Sequence, residues 1–290
     1  MKFKLTRLVL IASLLVAAPF FAYAQEKEKI VEYEYKTVAG KSDELEAVLR
    51  VPEGKGNRRA VVILHDGGGW SAGRTKQYAD LFTANGYVTL EPRIYRSAGG
   101  WDGYNDLSKV FASLKMLAKR ADVDPASIYI MGQSAGAMLT ILAGTDWANK
   151  KMNDSGTKFK AHASLYPVCW IFEESAKGNP PKTFREFPKE SFQTWSGAPI
   201  KVFIGTRDDY DDKDSNTCAN FVAQISNEAQ RNVFSIVKYA NATHGWDHGN
   251  TYSFHTPSAC KGRGCTNTNE SNPEITKKGY QDVLDFIKAN

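Results

Sequence analysis

The sequence lacks several features that would each assign the protein to a broad class. There is no large excess of one charge: the formal net charge of +5 includes Lys2, Lys4 and Arg7, and without those three it is about +2. No basic run resembles a stripe that follows a phosphate backbone, so we expect no nucleic-acid partner. After residue 24 there is no stretch of 18 apolar residues, so we expect no stable membrane insertion of the mature chain. Internal repeats are absent as well, and residues 25–290 are expected to form a single domain.

The first 24 residues have the layout of a secretory signal peptide. A positive start is followed by an apolar run at residues 8–21, and residues 22–24 read Ala-Tyr-Ala before Gln25. The apolar run is about 14 residues long, short of the roughly 20 that span a bilayer as a helix. We therefore predict that residues 1–24 are removed and that the protein is exported, to the periplasm or the extracellular space.

Export gives the small number of cysteines a specific meaning. Cys169, Cys218, Cys260 and Cys265 are the four in the chain, and an even number in an oxidising compartment favours disulfides. Three connectivities are possible. The pair Cys260–Cys265 is favoured because it encloses only the flexible stretch Lys-Gly-Arg-Gly, and Cys169–Cys218 then follows by elimination. His255 lies nearby in sequence, but the spacing is unusual for zinc and we expect no metal.

Strand and helix patterns alternate along most of the chain. The predicted strands are residues 30–38, 45–51, 60–64, 87–90, 127–131, 158–166, 200–204 and 233–239, and the predicted helices are 75–85, 104–120, 137–142, 216–227 and 273–288. This alternation predicts an α/β fold, with a mostly parallel sheet and helices on both faces. The first two strands have no helix between them, which favours an antiparallel edge. Residues 170–198 and 245–271 do not fit the alternation, and the first of these is predicted to be a surface insertion.

One short motif carries the strongest chemical signal. Residues 132–136 read Gly-Gln-Ser-Ala-Gly, which matches the Gly-x-Ser-x-Gly nucleophile elbow. A predicted strand precedes the motif and a predicted helix follows it, as the elbow requires. The N–H groups at the start of that helix favour developing negative charge. Ser134 is therefore the predicted nucleophile.

A nucleophilic serine needs a base, and the base needs a carboxylate that orients it. In this fold the chain order is serine, acid, histidine. The strand at residues 200–204 leads into Asp208 and Asp209; Asp208 is our first choice and Asp209 our second. Three histidines follow the last predicted strand. His244 comes first and is favoured over His248 as the base.

An oxyanion hole requires two N–H groups directed at one point. Ala135, directly after the serine, is expected to supply one of them. The other should come from the loop at residues 65–70, which reads His-Asp-Gly-Gly-Gly-Trp and contains neither a dinucleotide-binding nor a Walker A motif. Gly67 is the predicted donor, with Gly68 as the neighbouring alternative.

These motifs occur in the order found in one known family. The His-Asp-Gly-Gly-Gly loop, Gly-Gln-Ser-Ala-Gly, Gly-Thr-Arg-Asp-Asp and Ala-Thr-His-Gly follow one another along residues 44–288. With Val-Asp-Pro before the elbow strand, the chain resembles the dienelactone hydrolase family. The resemblance implies an α/β-hydrolase fold and a triad of Ser134, Asp208 and His244, with no metal or organic cofactor.

The nucleophile departs from that family, whose true dienelactone hydrolases use cysteine where this chain has Ser134. The departure favours a serine esterase over a dienelactone-specific enzyme. We therefore predict an exported hydrolase that cleaves small-molecule or polymer-linked carboxylic esters through an acyl-enzyme. A peptidase or amidase with the same triad, and a non-catalytic binding protein of the same fold, are the alternatives. The sequence does not predict the oligomeric state.

Substrate contacts are predicted less directly. Aromatic residues, Trp70 and Trp246 among them, are expected in loops near the carboxyl edge of the sheet, where they would line a pocket or pack the loops. Arg93 and Arg96 follow the strand at residues 87–90. They are candidates for binding a substrate carboxylate, although an ordinary surface ion pair is the favoured interpretation.

Overall fold

The structure is a computed structural model that describes residues 27–54, 56–70, 73–95 and 100–290. The predicted signal peptide and Arg96 lie outside the described residues. The strands are β1 (Lys27–Lys36), β2 (Ser42–Val51), β3 (Arg58–Leu64), β4 (Val88–Pro92), β5 (Val123–Gln133), β6 (His162–Leu165), β7 (Ile200–Gly205), β8 (Phe234–Tyr239), β9 (Tyr252–Thr256) and β10 (Cys265–Asn269).

The helices follow the strands much as the alternation predicts. They are α1 (Lys76–Ala84), α2 (Gly103–Ala118), α3 (Ala135–Leu142), α4 (Asp146–Met152), α5 (Cys169–Lys177), α6 (Thr217–Ala223), α7 (Glu228–Arg231) and α8 (Pro273–Ala289), with 3₁₀ turns at Lys182–Phe184 and Lys189–Phe192. In the described part of the chain, no helix combines the length and the apolar character needed to cross a membrane.

The main sheet has eight strands in the order β1-β2-β4-β3-β5-β6-β7-β8. Strand β2 runs antiparallel to both β1 and β4, and the remaining neighbours are parallel. The predicted antiparallel edge and the predicted parallel sheet are both confirmed. Parallel strands end at one edge of the sheet, so the loops after β3, β5, β7 and β8 come together there.

Strand β3 shows why the sheet is covered on both faces. Ala60, Val62 and Leu64 belong to one apolar cluster, while Val61 and Ile63 belong to a second, and all five are fully buried. Alternate side chains of a strand point to opposite faces, so a continuous apolar run requires cover on each side. Helices α2 and α3 contribute to the first cluster and α1 and α8 to the second.

The segment at residues 170–198 is not the surface insertion that its charged composition suggested. Phe172, Phe184, Phe187 and Phe192 are all buried and contact one another. Most of the lysines and glutamates between them are exposed. Their high number made the whole segment resemble surface, although its phenylalanines are buried. The prediction is wrong for its aromatic half, which belongs to the apolar cluster that α2 and α3 also line.

The stretch at residues 245–271 forms a hairpin rather than irregular loop. Strands β9 and β10 pair antiparallel, with Cys265 opposite Thr256. The disulfide Cys260–Cys265, with Cα atoms 5.9 Å apart, lies at the end where the two strands connect. A second disulfide, Cys169–Cys218, joins the first turn of α5 to α6 across 5.0 Å between Cα atoms. Both pairings favoured from the sequence are confirmed.

Candidate active site

The turn between β5 and α3 holds Ser134 in a backbone conformation that residues with side chains rarely adopt. Its φ is 50° and its ψ is −112°, at a cost of roughly 1–3 kcal/mol. A Cβ on Gly132 would overlap the backbone of Gly136. One on Gly136 would lie 2.6 Å from the carbonyl oxygens of both Leu64 and His65. The two glycines therefore let the turn pack tightly against β3 and leave the serine partly exposed.

His244 lies between the serine and a carboxylate. Its Nε2 is 2.8 Å from the Ser134 Oγ, and its Nδ1 is 2.7 Å from the Asp208 Oδ2. The other carboxylate oxygen of Asp208 accepts the N–H of Tyr210 at 2.9 Å, and the Tyr210 ring lies 4.3 Å from the imidazole. His244 and Asp208 are both buried. The structure thus brings together the three residues that the chain order singled out.

Asp209, the alternative acid, faces away from the imidazole. Its Oδ2 accepts the N–H of Thr268 on β10 at 2.9 Å, and its Oδ1 is 3.5 Å from the Lys213 Nζ. It therefore anchors the β9–β10 hairpin to the loop between β7 and α6, residues 206–216, which we call the acid loop. Asp208 is the carboxylate that contacts His244.

Asp211, in the same loop, is buried against the first turn of α5. It accepts the N–H groups of Cys169 at 3.2 Å and Trp170 at 2.7 Å. Burial raises the pKa of its carboxyl well above the usual range, and the negative charge of Asp208 adds to that shift. Asp211, Cys169 and Cys218 are residue types that bind metals, and their potential ligand atoms lie within 4.8 Å of one another. The two sulfurs are bonded to each other, so neither is a free thiolate for a metal ion.

The predicted oxyanion donors are neighbours in the structure. A Cβ on Gly67 would lie 4.0 Å from the Ala135 Cβ. The N–H of Gly68 donates to the Asp66 Oδ1 at 2.7 Å, whereas the Gly67 N–H has no hydrogen-bond partner among the described residues. The Tyr95 hydroxyl donates to the Asp66 carbonyl oxygen at 2.6 Å and so holds the backbone of the loop at residues 65–70. Of the two glycines weighed as donors, only Gly67 has its N–H unoccupied.

A second histidine–carboxylate pair lies beside the first. The His248 Nε2 is 3.3 Å from the Asp66 Oδ2, which also receives the Arg74 Nη1 at 2.5 Å. Burial by itself would raise the pKa of Asp66. The hydrogen bond from His248 and the charge of Arg74 outweigh burial, and the pKa of Asp66 stays well below its usual range. His248, the alternative base, therefore faces Asp66 and not Asp208. Asp66 lies in the loop at residues 65–70, which we call the oxyanion loop after its predicted role.

Asp247 is a buried residue of the site that sequence reasoning missed. Its buried carboxylate accepts the hydroxyls of Tyr78 at 2.6 Å and Tyr166 at 2.7 Å, and the side-chain amide of Gln133 at 3.1 Å. Gln133 directly precedes Ser134. Asp247 thus ties the elbow to the loop after β8, and its only signal in the sequence was an acid three residues after the candidate base.

The three residues proposed as substrate contacts differ in their surroundings. Trp246 is fully buried, with its ring 4.7 Å from that of Tyr166, so it lies in the core and not at a substrate surface. Trp70 is half-buried, and the Arg93 guanidinium lies 5.3 Å above its ring. Arg93 also pairs with Glu46 at 2.6 Å, which is the ion pair that was favoured for it.

Comparison with known proteins points to one family. The BD-FAE family model matches residues 49–229 of this chain. A carboxymethylenebutenolidase homolog from Homo sapiens is 24% identical over 201 residues, which is 60% of this chain and 80% of the human protein. The fold is similar to that of Thermogutta terrifontis esterase 2 phosphoramylated by tabun, with a TM-score of 0.61, 17% identity and coverage of 93% of this chain and 96% of that one. Esterase Est22 has a TM-score of 0.59 at 15% identity, with 91% of this chain and 81% of that one covered.

The resemblance to dienelactone hydrolases drawn from the motifs is confirmed by these matches. The family model also covers more than half of the chain, from within β2 to within α7. This chain belongs to the BD-FAE family and is an α/β-hydrolase of the dienelactone hydrolase-like kind.

Proposed function

We propose that this protein is an exported serine hydrolase that cleaves carboxylic esters through Ser134, His244 and Asp208. One observation carries the proposal: the two hydrogen bonds of 2.7 and 2.8 Å that connect carboxylate, imidazole and serine hydroxyl in a line. The names of the relatives support it, since two of the similar folds are called esterases and one of these is described as phosphoramylated by tabun.

The first half of the reaction forms an acyl-enzyme. The Ser134 Oγ attacks the ester carbonyl as His244 Nε2 takes its proton, and Asp208 stabilises the imidazolium and holds the tautomer with the proton on Nδ1. The N–H groups of Ala135 and Gly67 donate to the oxyanion of the tetrahedral intermediate. The intermediate collapses when His244 returns the proton to the departing alkoxide, and the alcohol leaves.

The second half repeats these steps with water. His244 removes a proton from a water molecule as the water oxygen attacks the carbonyl carbon of the acyl group on Ser134. The same two N–H groups hold the second oxyanion. Collapse breaks the bond to the Ser134 Oγ, which recovers its proton from His244, and the carboxylic acid departs.

Export is the second part of the proposal. The signal-peptide pattern of residues 1–24 supports it, and so do the two disulfides, because such bonds persist in oxidising compartments.

The test of the triad is covalent labelling by a fluorophosphonate probe, which phosphonylates an activated serine and releases fluoride. We expect the wild type and a Ser42→Ala variant, changed at an exposed serine, to label. Ser134→Ala and His244→Ala should not. Removal of the nucleophile or base typically lowers kcat by about 10⁴-fold or more. An unlabelled wild type would favour the non-catalytic binding protein.

A substrate panel separates esters from amides. We expect p-nitrophenyl esters of short acids to be hydrolysed by the wild type and peptide p-nitroanilides to resist. Faster cleavage of the anilides would replace the esterase proposal with a peptidase or amidase of the same triad. Ser134→Ala should abolish whichever activity is found, and activity that survives in it would contradict the proposed site.

A further inference from the structure

The side chain of His248 is buried within the site but has no part in the triad. Its ring lies on the peptide that follows the base: a Cβ on Gly245 would be 2.5 Å from the His248 Cε1 and 2.7 Å from its Nδ1. Gly245 also has a φ of 61°, in the left-handed region that favours glycine. The chain therefore leaves room for a second imidazole directly beside His244.

The surroundings of His248 determine which of its nitrogens carries the proton. The Asn269 Oδ1 accepts from the Asn267 amide at 2.7 Å, so the Asn269 Nδ2 faces the opposite way. That Nδ2 donates to the Tyr252 hydroxyl at 2.8 Å and lies 3.2 Å from the His248 Nδ1. The Tyr252 hydroxyl, 2.8 Å from Nδ1, then directs its own proton to the ring. Nδ1 is the acceptor, so Nε2 carries the proton; it lies 3.3 Å from the Asp66 Oδ2 and 3.5 Å from the Tyr166 hydroxyl.

Asp66 in turn holds the oxyanion loop at two places. Its Oδ2 faces His248 and Arg74, which leaves Oδ1 to accept the Gly68 N–H. Its carbonyl accepts the Tyr95 hydroxyl. In a planar trans peptide the N–H lies opposite the carbonyl, so fixing the Asp66 carbonyl also fixes the direction of the Gly67 N–H.

We propose that His248 is a positioning residue for the oxyanion hole, which it serves by donating Nε2–H to Asp66 and so holding the Gly67 N–H in place. This inference rests on the proposed function, because it assigns Gly67 a role in that reaction. A donor stabilises an oxyanion best when it needs no reorganisation during the reaction. Loss of His248 should therefore slow acyl transfer without weakening substrate binding.

The test compares His248→Phe with His248→Gln. Phenylalanine fills the space without a donor, whereas the glutamine amide supplies an N–H to Asp66. Loss of a whole oxyanion donor costs about 10²–10³-fold in kcat. We therefore expect a smaller fall, of about 10–100-fold, for His248→Phe. KM for a p-nitrophenyl ester should stay within about 2-fold, because only a transition-state interaction is affected. His248→Gln should recover most of kcat, and His255→Gln, changed at an exposed histidine, should match the wild type.

Two results would overturn the inference. Unchanged kcat in both His248 variants would show that Asp66 does not need this donor. A raised KM with unchanged kcat would identify His248 as a substrate contact. If His248→Phe fails to fold, Tyr252→Phe replaces it, since it removes only the hydroxyl at Nδ1; we expect a decrease in kcat of about 3–10-fold, smaller than for loss of a donor, and an unchanged kcat would likewise count against the inference.

A readout without turnover separates this inference from the proposed function. The ¹⁵N imidazole spectrum of the wild type, assigned with His248→Gln, should show His248 neutral with its proton on Nε2. A proton on Nδ1 would contradict the positioning role even in an active esterase. The expected tautomer in a protein that hydrolyses no ester would instead count against the proposed function alone.

Discussion

Two histidine–carboxylate pairs lie side by side in this site and differ in what the second nitrogen contacts. His244 faces Asp208 through Nδ1 at 2.7 Å, and its Nε2 faces the Ser134 hydroxyl. His248 faces Asp66 through Nε2 at 3.3 Å, and its Nδ1 is 2.8 Å from the Tyr252 hydroxyl. The tautomers are reversed. A buried histidine–carboxylate pair therefore acts as a base or as a structural tie according to the third group that the imidazole contacts.

The two carboxylates also differ in their other partners. Beyond His244, Asp208 receives the neutral N–H of Tyr210, so the imidazole is its main cationic partner once the proton has moved. Asp66 already has the permanent cation Arg74, which helps to keep its pKa below the usual range. A carboxylate whose charge is already balanced gains less from a second cation. Asp208 is thus suited to stabilise an imidazolium and Asp66 to hold a loop.

The largest effect expected from this comparison is in Asp208→Asn. An amide at this position can donate to Nδ1 and so stabilise the wrong tautomer, which places a proton on Nε2 where the serine needs an acceptor. The corresponding change in a serine protease triad lowers kcat by about 10⁴-fold. We expect a loss of similar size in ester hydrolysis, with the fold retained by circular dichroism.

Asp209→Asn is the matched control, since it changes the adjacent acid that faces β10 and not the imidazole. A decrease in kcat of less than about 10-fold is expected for it, because Asp209 contacts no reacting group. Equal losses in the two variants would mean that the acid loop acts as a whole, and the assignment of Asp208 as the orienting acid would have to be withdrawn.

The next largest effects are on stability and come from the two disulfides. One lies next to the acid loop, which carries Asp208, and the other lies in the hairpin that carries Tyr252, a contact of His248. Cys169–Cys218 spans 49 residues and fixes the start of α5, where Asp211 of the acid loop accepts the Cys169 N–H. The acid loop also carries Asp208. Cys260–Cys265 spans 5 residues in the hairpin that carries Tyr252. Chain entropy predicts that removal costs about 4 kcal/mol for the first and about 2 kcal/mol for the second.

Urea unfolding of the two double-alanine variants measures both costs. The wild type under non-reducing conditions is the reference. We expect the variant without Cys169–Cys218 to be the less stable by about 2 kcal/mol, since its unfolded chain gains the longer loop. The reverse order would show that the short loop contributes more than chain entropy, through packing of the hairpin on the acid loop.

The parts of the fold and site that the sequence predicted depend on local patterns. The apolar run at residues 60–64 requires a strand covered on both faces, whatever else the chain does. The Gly-x-Ser-x-Gly motif specifies its own turn, since Gly132 and Gly136 meet each other and β3. The positions of Asp208 and His244 followed because parallel strands deliver successive loops to one edge of the sheet.

The parts that were missed depend on contacts between distant residues. Tyr78 and Asp247 are 169 positions apart, and no local pattern connects them. The buried phenylalanines of residues 170–198 are interspersed with charged residues at no fixed period. No periodic pattern therefore indicated burial, and the charged composition led to the prediction of a surface insertion. Trp246 resembled a pocket residue because it follows the base, but its neighbours in the core are Tyr166, directly after β6, and residues of β8 and α8.

The smallest effect on activity is expected from a third histidine, His162, which has no carboxylate partner in the part of the chain that the structure describes. His162 is buried at the start of β6, where its Nδ1 is 2.9 Å from the Thr140 carbonyl oxygen. Burial lowers its pKa from 6.5 to about 4, although the hydrogen bond to Thr140 opposes that shift. Without a counter-charge among the described residues the folded state keeps this ring neutral, in contrast to His244, whose Nδ1 faces the Asp208 carboxylate.

The sign of the resulting pH dependence follows from proton binding in the two states. Below pH 6.5 the unfolded chain protonates His162 while the folded protein does not until about pH 4. Its contribution is therefore full above pH 6.5 and is lost on acidification, by about 3 kcal/mol over that interval. His162→Asn keeps a donor for Thr140 but does not titrate, so its unfolding free energy should fall less steeply between pH 6.5 and 4. His255→Asn, at an exposed site, should follow the wild type, and kcat at pH 7.5 should be unchanged in both. A His162→Asn slope equal to that of the wild type would mean that this ring gains its proton in the folded protein as readily as in the unfolded chain.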